Sequence, residues 1–68
     1  MSVITEVTVV GMTCQHCVTA VTEEVSAVSG VSAVDVDLSS GRVLITSESA
    51  LVDADIAAAV AEAGYELG

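Results

Sequence analysis

The chain has 68 residues, with ten acidic side chains, a single arginine and no lysine, so its formal net charge is −9. This charge would repel a phosphate backbone, which argues against nucleic acid as a partner. Hydrophobic residues make up 53% of the sequence, but Phe and Trp are absent and Tyr65 is the single aromatic residue. A core of small branched side chains leaves little room for a cavity, so a deep small-molecule pocket is not expected.

We expect one domain over residues 1–68, because a chain of this length buries only about 60% of its unfolded surface. The start of the chain does not resemble a signal peptide, since it lacks a basic residue and Glu6 interrupts the apolar run. No apolar stretch approaches the roughly 18 residues that span a membrane. We therefore expect a cytoplasmic protein without membrane insertion, in which two close cysteines indicate metal binding or catalysis rather than a structural disulfide.

The first half of the chain predicts a strand followed by a helix. Polar and apolar residues alternate from Thr5 to Val9, which indicates a half-buried strand that ends before Gly11. Residues 17–28 follow a helical period and predict an amphipathic helix. Gly30 is suited to the left-handed conformation that commonly follows a helix. The inward positions of this helix are Val18, Val21, Val25 and Val28.

The second half predicts a hairpin, a helix and a short strand. Residues 33–38 and 42–46 alternate in polarity around a turn at 39–41, which indicates two antiparallel strands. Asp53 is the expected N-cap of a second helix, and Gly64 marks its C-terminal end. Residues 65–67 are long enough for a last strand. The inward positions of the second helix are Ile56, Ala59, Val60 and Ala63.

The predicted order of elements is βαββαβ. This order is typical of an α+β, ferredoxin-like sandwich, in which two helices cover one face of a four-stranded antiparallel sheet. The segment 12–17 then lies on a surface loop that runs from the first strand into the N-terminus of the first helix.

That segment reads Met-Thr-Cys-Gln-His-Cys and holds the only two cysteines and the only histidine. A Cys-x-x-Cys pair can bind a thiophilic ion, cycle as a disulfide, or supply half of a zinc site. A helix N-terminus stabilises thiolates, which favours metal binding by Cys14 and Cys17. Cu(I) accepts two or three soft ligands, whereas zinc takes four and only His16 is nearby. A thioredoxin-like redox protein is disfavoured because the chain has no proline.

The other side chains around the pair have more than one interpretation. We expect Cys14 to be the more exposed sulfur and Cys17 the more fixed one. His16 either stays exposed and tunes thiol protonation, or becomes a third ligand in a copper-bridged dimer. Met12 is expected to hold the loop by core packing rather than to bind metal. Tyr65 either packs beneath the loop or shields the metal.

The residues Gly11-Met12-Thr13-Cys14-Gln15-His16-Cys17 resemble the Gly-Met-x-Cys-x-x-Cys signature of heavy-metal-associated domains, bacterial copper chaperones in particular. The resemblance covers nearly the whole chain. Residues similar to those of the family also stand at Gly30-Val31, Val34-Asp35-Val36, Gly41-Arg42-Val43 and Ala63-Gly64-Tyr65.

The resemblance implies a non-enzymatic carrier that binds Cu(I) through Cys14 and Cys17. It also implies exchange of that ion with the related metal-binding domains of a copper-transporting P-type ATPase. The metal-free carrier is expected to be a monomer. Whether copper bridges two copies into a homodimer stays an open alternative. Eukaryotic members carry a lysine near the metal loop, and its absence here raises the hypothesis that the carrier is the acidic partner.

Three alternatives remain at this point. The first is a domain excised from such an ATPase. The start at Met1 and the lack of a linker argue against this alternative. The second is a mercury carrier, since Hg(II) also takes two thiolates. The third is a thiol-disulfide redox protein.

Overall fold

Two helices lie on one face of a four-stranded antiparallel sheet in the computed structural model, which describes residues 2–68. The sheet order is β2-β3-β1-β4, and every pairing is antiparallel. This arrangement confirms the ferredoxin-like α+β fold expected from the sequence. The elements in chain order are β1 (Val3–Val10), α1 (Gln15–Ser26), β2 (Val31–Asp37), β3 (Arg42–Ser47), α2 (Asp53–Glu62) and β4 (Glu66–Leu67).

Strand β1 lies inside the sheet and leads directly to the loop that carries the cysteines. Val7 pairs with Val43 of β3, and Val9 pairs with Leu67 of β4. The alternation along β1 is as predicted, because its even-numbered residues are exposed while Val9 is buried. The strand is longer than the predicted 5–9, because backbone pairing with β3 continues outward to Val3.

The core fills the space between the sheet and the two helices with aliphatic side chains. Each fully buried valine or isoleucine contributes roughly 1.5–3 kcal/mol relative to an exposed one. Tyr65 is half-buried and packs against this cluster, so the one aromatic ring lies at the edge of the core. The large apolar side chains with no exposed surface are Val21, Val25, Val43, Ile45, Ile56 and Val60.

The helix bounds differ from the prediction at three ends. Helix α1 begins at Gln15 and ends at Ser26, two residues earlier than predicted at each end. The N-cap of α2 is Val52, so the assignment of Asp53 as N-cap was wrong by one residue. Asp53 lies instead in the first helical turn, where its carboxylate interacts favourably with the helix dipole. Gly64 follows α2 with φ +94, as predicted.

The strands of the hairpin are also displaced slightly. Strand β2 covers Val31–Asp37 rather than 33–38, and a register shift between Val31 and Ala33 interrupts its pairing with β3. Strand β4 covers only Glu66–Leu67, so Tyr65 precedes it. Among residues 2–68, no helix has the length and apolar character needed to cross a membrane.

Candidate metal centre

A four-residue loop, 11–14, connects β1 to α1 and begins with a glycine that its backbone requires. Gly11 has φ +95, a conformation that L side chains rarely adopt. A Cβ at this position would lie 3.4 Å from Cδ1 of Tyr65. Gly11 therefore permits the turn out of β1, and a Cβ there would be in ordinary contact with the tyrosine ring.

The two cysteine sulfurs lie side by side at the start of α1. Their Sγ atoms are 3.4 Å apart, and both cysteines are free. Cys14 is exposed, whereas Cys17 exposes only 8% of its surface. The prediction that Cys14 is the more accessible sulfur is therefore confirmed. One sulfur faces solvent, and the other is fixed against the interior.

Cys14 is the N-cap residue of α1, and Cys17 lies in the first helical turn. The backbone of Cys14 is extended, with φ −153 and ψ 173, and its side chain forms no capping hydrogen bond. Its carbonyl accepts hydrogen bonds from the N–H groups of Cys17 and Val18 at 3.1 and 3.4 Å. The first turn of α1 contains no acidic residue. The positive end of the helix dipole is therefore available to the thiolates.

Hydrogen bonding lowers the pKa of Cys17 to about 6, from an ordinary value of 9.0. The largest cause is the backbone N–H of Thr13, followed by the Tyr65 hydroxyl and the Cys14 thiol, against a smaller opposing effect of burial. The hydroxyl of Thr13 is also 4.0 Å from the Cys17 sulfur. Cys17 is accordingly a thiolate at neutral pH, the form that binds metal.

Tyr65 packs beside the loop, one of its two expected roles, whereas its shielding of a metal ion stays a prediction. Its ring packs against the core, and its hydroxyl is, after the backbone N–H of Thr13, the strongest cause of the lowered pKa of Cys17. The same interaction, together with burial, raises the pKa of Tyr65, so the phenol stays protonated. Met12 is half-buried and packs against the same core, as expected for a residue that holds the loop.

His16 is exposed in the first turn of α1. Across residues 2–68, no group of three or more His, Cys, Asp or Glu side chains is arranged to hold a metal ion. A single copy of the chain therefore does not bring His16 together with the two sulfurs. Its role as a third ligand in a copper-bridged dimer stays a prediction.

Thr13 is the site residue that the sequence analysis missed. It acts on Cys17 mainly through its backbone N–H, and a backbone contact does not depend on residue type. The available signal was its position next to the N-cap cysteine.

The sequence profile of the heavy-metal-associated domain matches residues 6–66. The chain belongs to the heavy-metal-associated domain family. This family member is 45% identical, over 58 residues, to the copper chaperone CopZ of Bacillus subtilis strain 168, and the match covers 84% of each chain.

Solved structures of heavy-metal-associated domains have the same fold. The structure of a CopZ metallochaperone superposes with a TM-score of 0.89 at 28% identity, covering 97% of this chain and 100% of that one. A copper binding domain from HMA7, a P-type ATPase, superposes with a TM-score of 0.87 at 29% identity, covering 100% of this chain and 92% of the other. The domain is thus similar both to a metallochaperone and to a copper binding domain of a P-type ATPase.

Proposed function

We propose that this heavy-metal-associated domain is a cytoplasmic Cu(I) chaperone that passes its ion to a copper-transporting P-type ATPase. The observation that carries the proposal is the pair of free sulfurs, 3.4 Å apart at a helix N-terminus, with one exposed and one buried. The similarity to proteins named copper chaperone CopZ supports copper as the cargo. Free thiols at this spacing also fit a reducing compartment.

Within residues 2–68 the site supplies two sulfurs and no further cluster of ligands, which suits a low coordination number. With metal–sulfur bonds of about 2.3 Å, a trigonal site separates two sulfurs by about 4.0 Å and a linear site by about 4.6 Å. The two Sγ atoms, at 3.4 Å, must therefore move apart by about 0.6–1.2 Å on binding. Cys14 can supply this movement because its side chain is exposed, whereas Cys17 is buried. Cu(I) accepts such soft, low-coordinate sites.

The same asymmetry gives an order of ligand exchange. A thiolate of the receiving domain bonds to Cu(I) from the solvent side, and a three-coordinate ion forms. The bond to Cys14 then breaks, a second receiver thiolate bonds, and the bond to Cys17 breaks last. Copper stays Cu(I) throughout, and each released sulfur leaves as a thiolate, so no oxidant or reductant is required.

The experiment that tests this function is an anaerobic Cu(I) titration against a competing chelator, combined with the mass of the intact complex. We expect one Cu(I) per chain and a loss of affinity by orders of magnitude in Cys14→Ser and in Cys17→Ser. Thr19→Ser is the matched control, because Thr19 is exposed on the same helix and bonds only to the Gln15 carbonyl. Tight binding in either cysteine variant would overturn the two-sulfur site.

Two further measurements separate the alternatives. Transfer of the bound ion to an isolated metal-binding domain of a copper-transporting ATPase is expected within seconds, without release to the chelator. Catalytic insulin reduction by the domain would instead identify a thiol-disulfide redox protein. A second candidate function, as a domain of the ATPase itself, is favoured by the similarity to the HMA7 domain. A reading frame that continues into transmembrane segments would establish it.

A further inference from the structure

The distance between the two sulfurs sets the angle at which both can bond to one atom. With bonds of about 2.3 Å to each sulfur, a separation of 3.4 Å corresponds to an angle of about 95° at the shared atom. Trigonal Cu(I) requires about 120° and linear Cu(I) about 180°, so copper must push the sulfurs apart. An angle near 95° is instead typical of a pyramidal atom that carries a lone pair, such as trivalent arsenic.

The number of ligands indicates which form of arsenic fits. Cys14 and Cys17 supply two sulfurs, and within residues 2–68 no third Cys, His, Asp or Glu side chain completes a metal-binding group with them. Inorganic arsenite has three positions for thiolates. A mono-organo arsenical has two, because its third bond goes to carbon. Since Cys14 is exposed, that organic group can point into solvent while Cys17 stays buried.

The charge of the product also suits this acidic chain. A Cu(I) ion held by two thiolates keeps one negative charge, whereas trivalent arsenic bonded to two sulfurs and one carbon is neutral. The chain has a formal charge of −9 and no lysine, and its single arginine contacts Glu6 at 3.0 Å. A neutral centre adds nothing to the repulsion among these carboxylates.

We propose that Cys14 and Cys17 also capture trivalent mono-organo arsenicals, which in water are dihydroxides of the form R–As(OH)2. Each sulfur forms one bond to arsenic, and each As–OH bond breaks. The hydroxides leave as two water molecules with the protons of the two thiols. Arsenic stays trivalent, so no oxidant or reductant takes part. This binding does not require copper to be the natural cargo, and its failure would leave the proposed function untouched.

The sulfur spacing predicts the effect of such a ligand on stability. The folded domain already holds the sulfurs at the required distance, whereas the unfolded chain must first bring them together. We expect the arsenical to bind the folded domain about tenfold more tightly than the unfolded chain. That ratio corresponds to a gain of about 1.4 kcal/mol in the free energy of unfolding.

The test is urea unfolding of the reduced, metal-free domain with and without one equivalent of phenylarsine oxide. The mass of the intact complex should show one phenylarsenic group per chain, with loss of the two thiol hydrogens. A matched control is the double variant Cys14→Ser, Gln15→Cys, which keeps two thiols. Gln15 and Cys17 both belong to α1, and side chains two positions apart on a helix do not face each other. The arsenical should therefore destabilise this variant.

The outcomes decide the proposal. A gain in stability in the wild type and a loss in the double variant would support it. A loss in the wild type, or an equal gain in both proteins, would overturn it. X-ray absorption at the arsenic edge gives a second measurement that does not depend on folding of the variant. It should show two sulfurs and one carbon around arsenic in the wild-type complex, and a single sulfur would overturn capture by the pair.

Discussion

Replacing Gly11 by alanine tests the backbone that delivers the chain from β1 to the two sulfurs. Gly11 has φ +95, and an L residue in such left-handed backbone costs about 1–2 kcal/mol. The added Cβ would lie 3.4 Å from the Tyr65 ring, which is ordinary contact distance and adds little clash. We therefore expect Gly11→Ala to reduce the free energy of unfolding by about 1–2 kcal/mol.

The chain offers a close control for this substitution. Gly30 has φ +90, and a Cβ there would meet nothing within 4 Å. Gly30→Ala therefore carries a similar backbone cost but lies far from Tyr65 and the metal loop. Urea and thermal unfolding of the reduced, metal-free variants should show comparable losses, each about 4–16 °C in Tm.

Copper affinity should separate the two variants. Gly11→Ala should weaken Cu(I) binding because it strains the backbone of the loop that places Cys14. Gly30→Ala should bind like the wild type. Unchanged stability in Gly11→Ala would refute the left-handed backbone at this position. Equal loss of copper affinity in both variants would refute a specific link between Gly11 and the sulfurs.

Other predictions follow from the same contacts. In the metal-free protein, ultraviolet absorbance should show the Cys17 thiolate forming near pH 6, and Tyr65→Phe should raise that midpoint. Because the folded-state pKa lies below the unfolded one, Cys17 should stabilise the fold fully above about pH 9 and lose that contribution as pH falls through 6. No thiolate signal below pH 7 would contradict this. Ile56→Ala should cost about 2–5 kcal/mol in urea unfolding, because Ile56 has no exposed surface. Ile4→Ala, at a side chain 67% exposed, should stay within about 0.5 kcal/mol, and similar losses in both would contradict the described core.

The sequence predicted the fold because its two hydrophobic periods are clear. Strand β1 alternates, and the valines of α1 recur at helical spacing, so element types and their order could be assigned. The start of α1 was missed because Gln15 and His16 are exposed and add no apolar signal to the period. Its end was overestimated because Val28 continues the pattern and packs against the core after the helix has ended.

The cap of α2 shows how tertiary packing can override a local preference. Asp is a strong N-cap residue, whereas Val52 has no side chain that can cap. Leu51 packs against the core, and this anchor fixes where the chain enters the helix. A local capping preference of about 1 kcal/mol carries no information about such a tertiary contact, so the sequence alone placed the N-cap at Asp53.

Some features of the candidate site could also be predicted from the sequence, whereas others depend on tertiary contacts. The position of Cys14 before a helix and that of Cys17 in the first helical turn followed from residue spacing and element order alone. The effect of Tyr65 on the pKa of Cys17 could not be derived in that manner, because the two residues lie far apart in the sequence. The same holds for Thr13, whose contribution comes mainly from its backbone.

The pKa of Cys17 depends on residues far apart in the chain, because Thr13 and Tyr65 both lower it. During synthesis both cysteines emerge before Tyr65 and before Glu66–Leu67, the strand that pairs with β1. Until those residues are added, a nascent chain exposes two sulfurs that lack the environment of the folded loop. Cys17 therefore acquires its lowered pKa only after Tyr65 has been synthesised and packed.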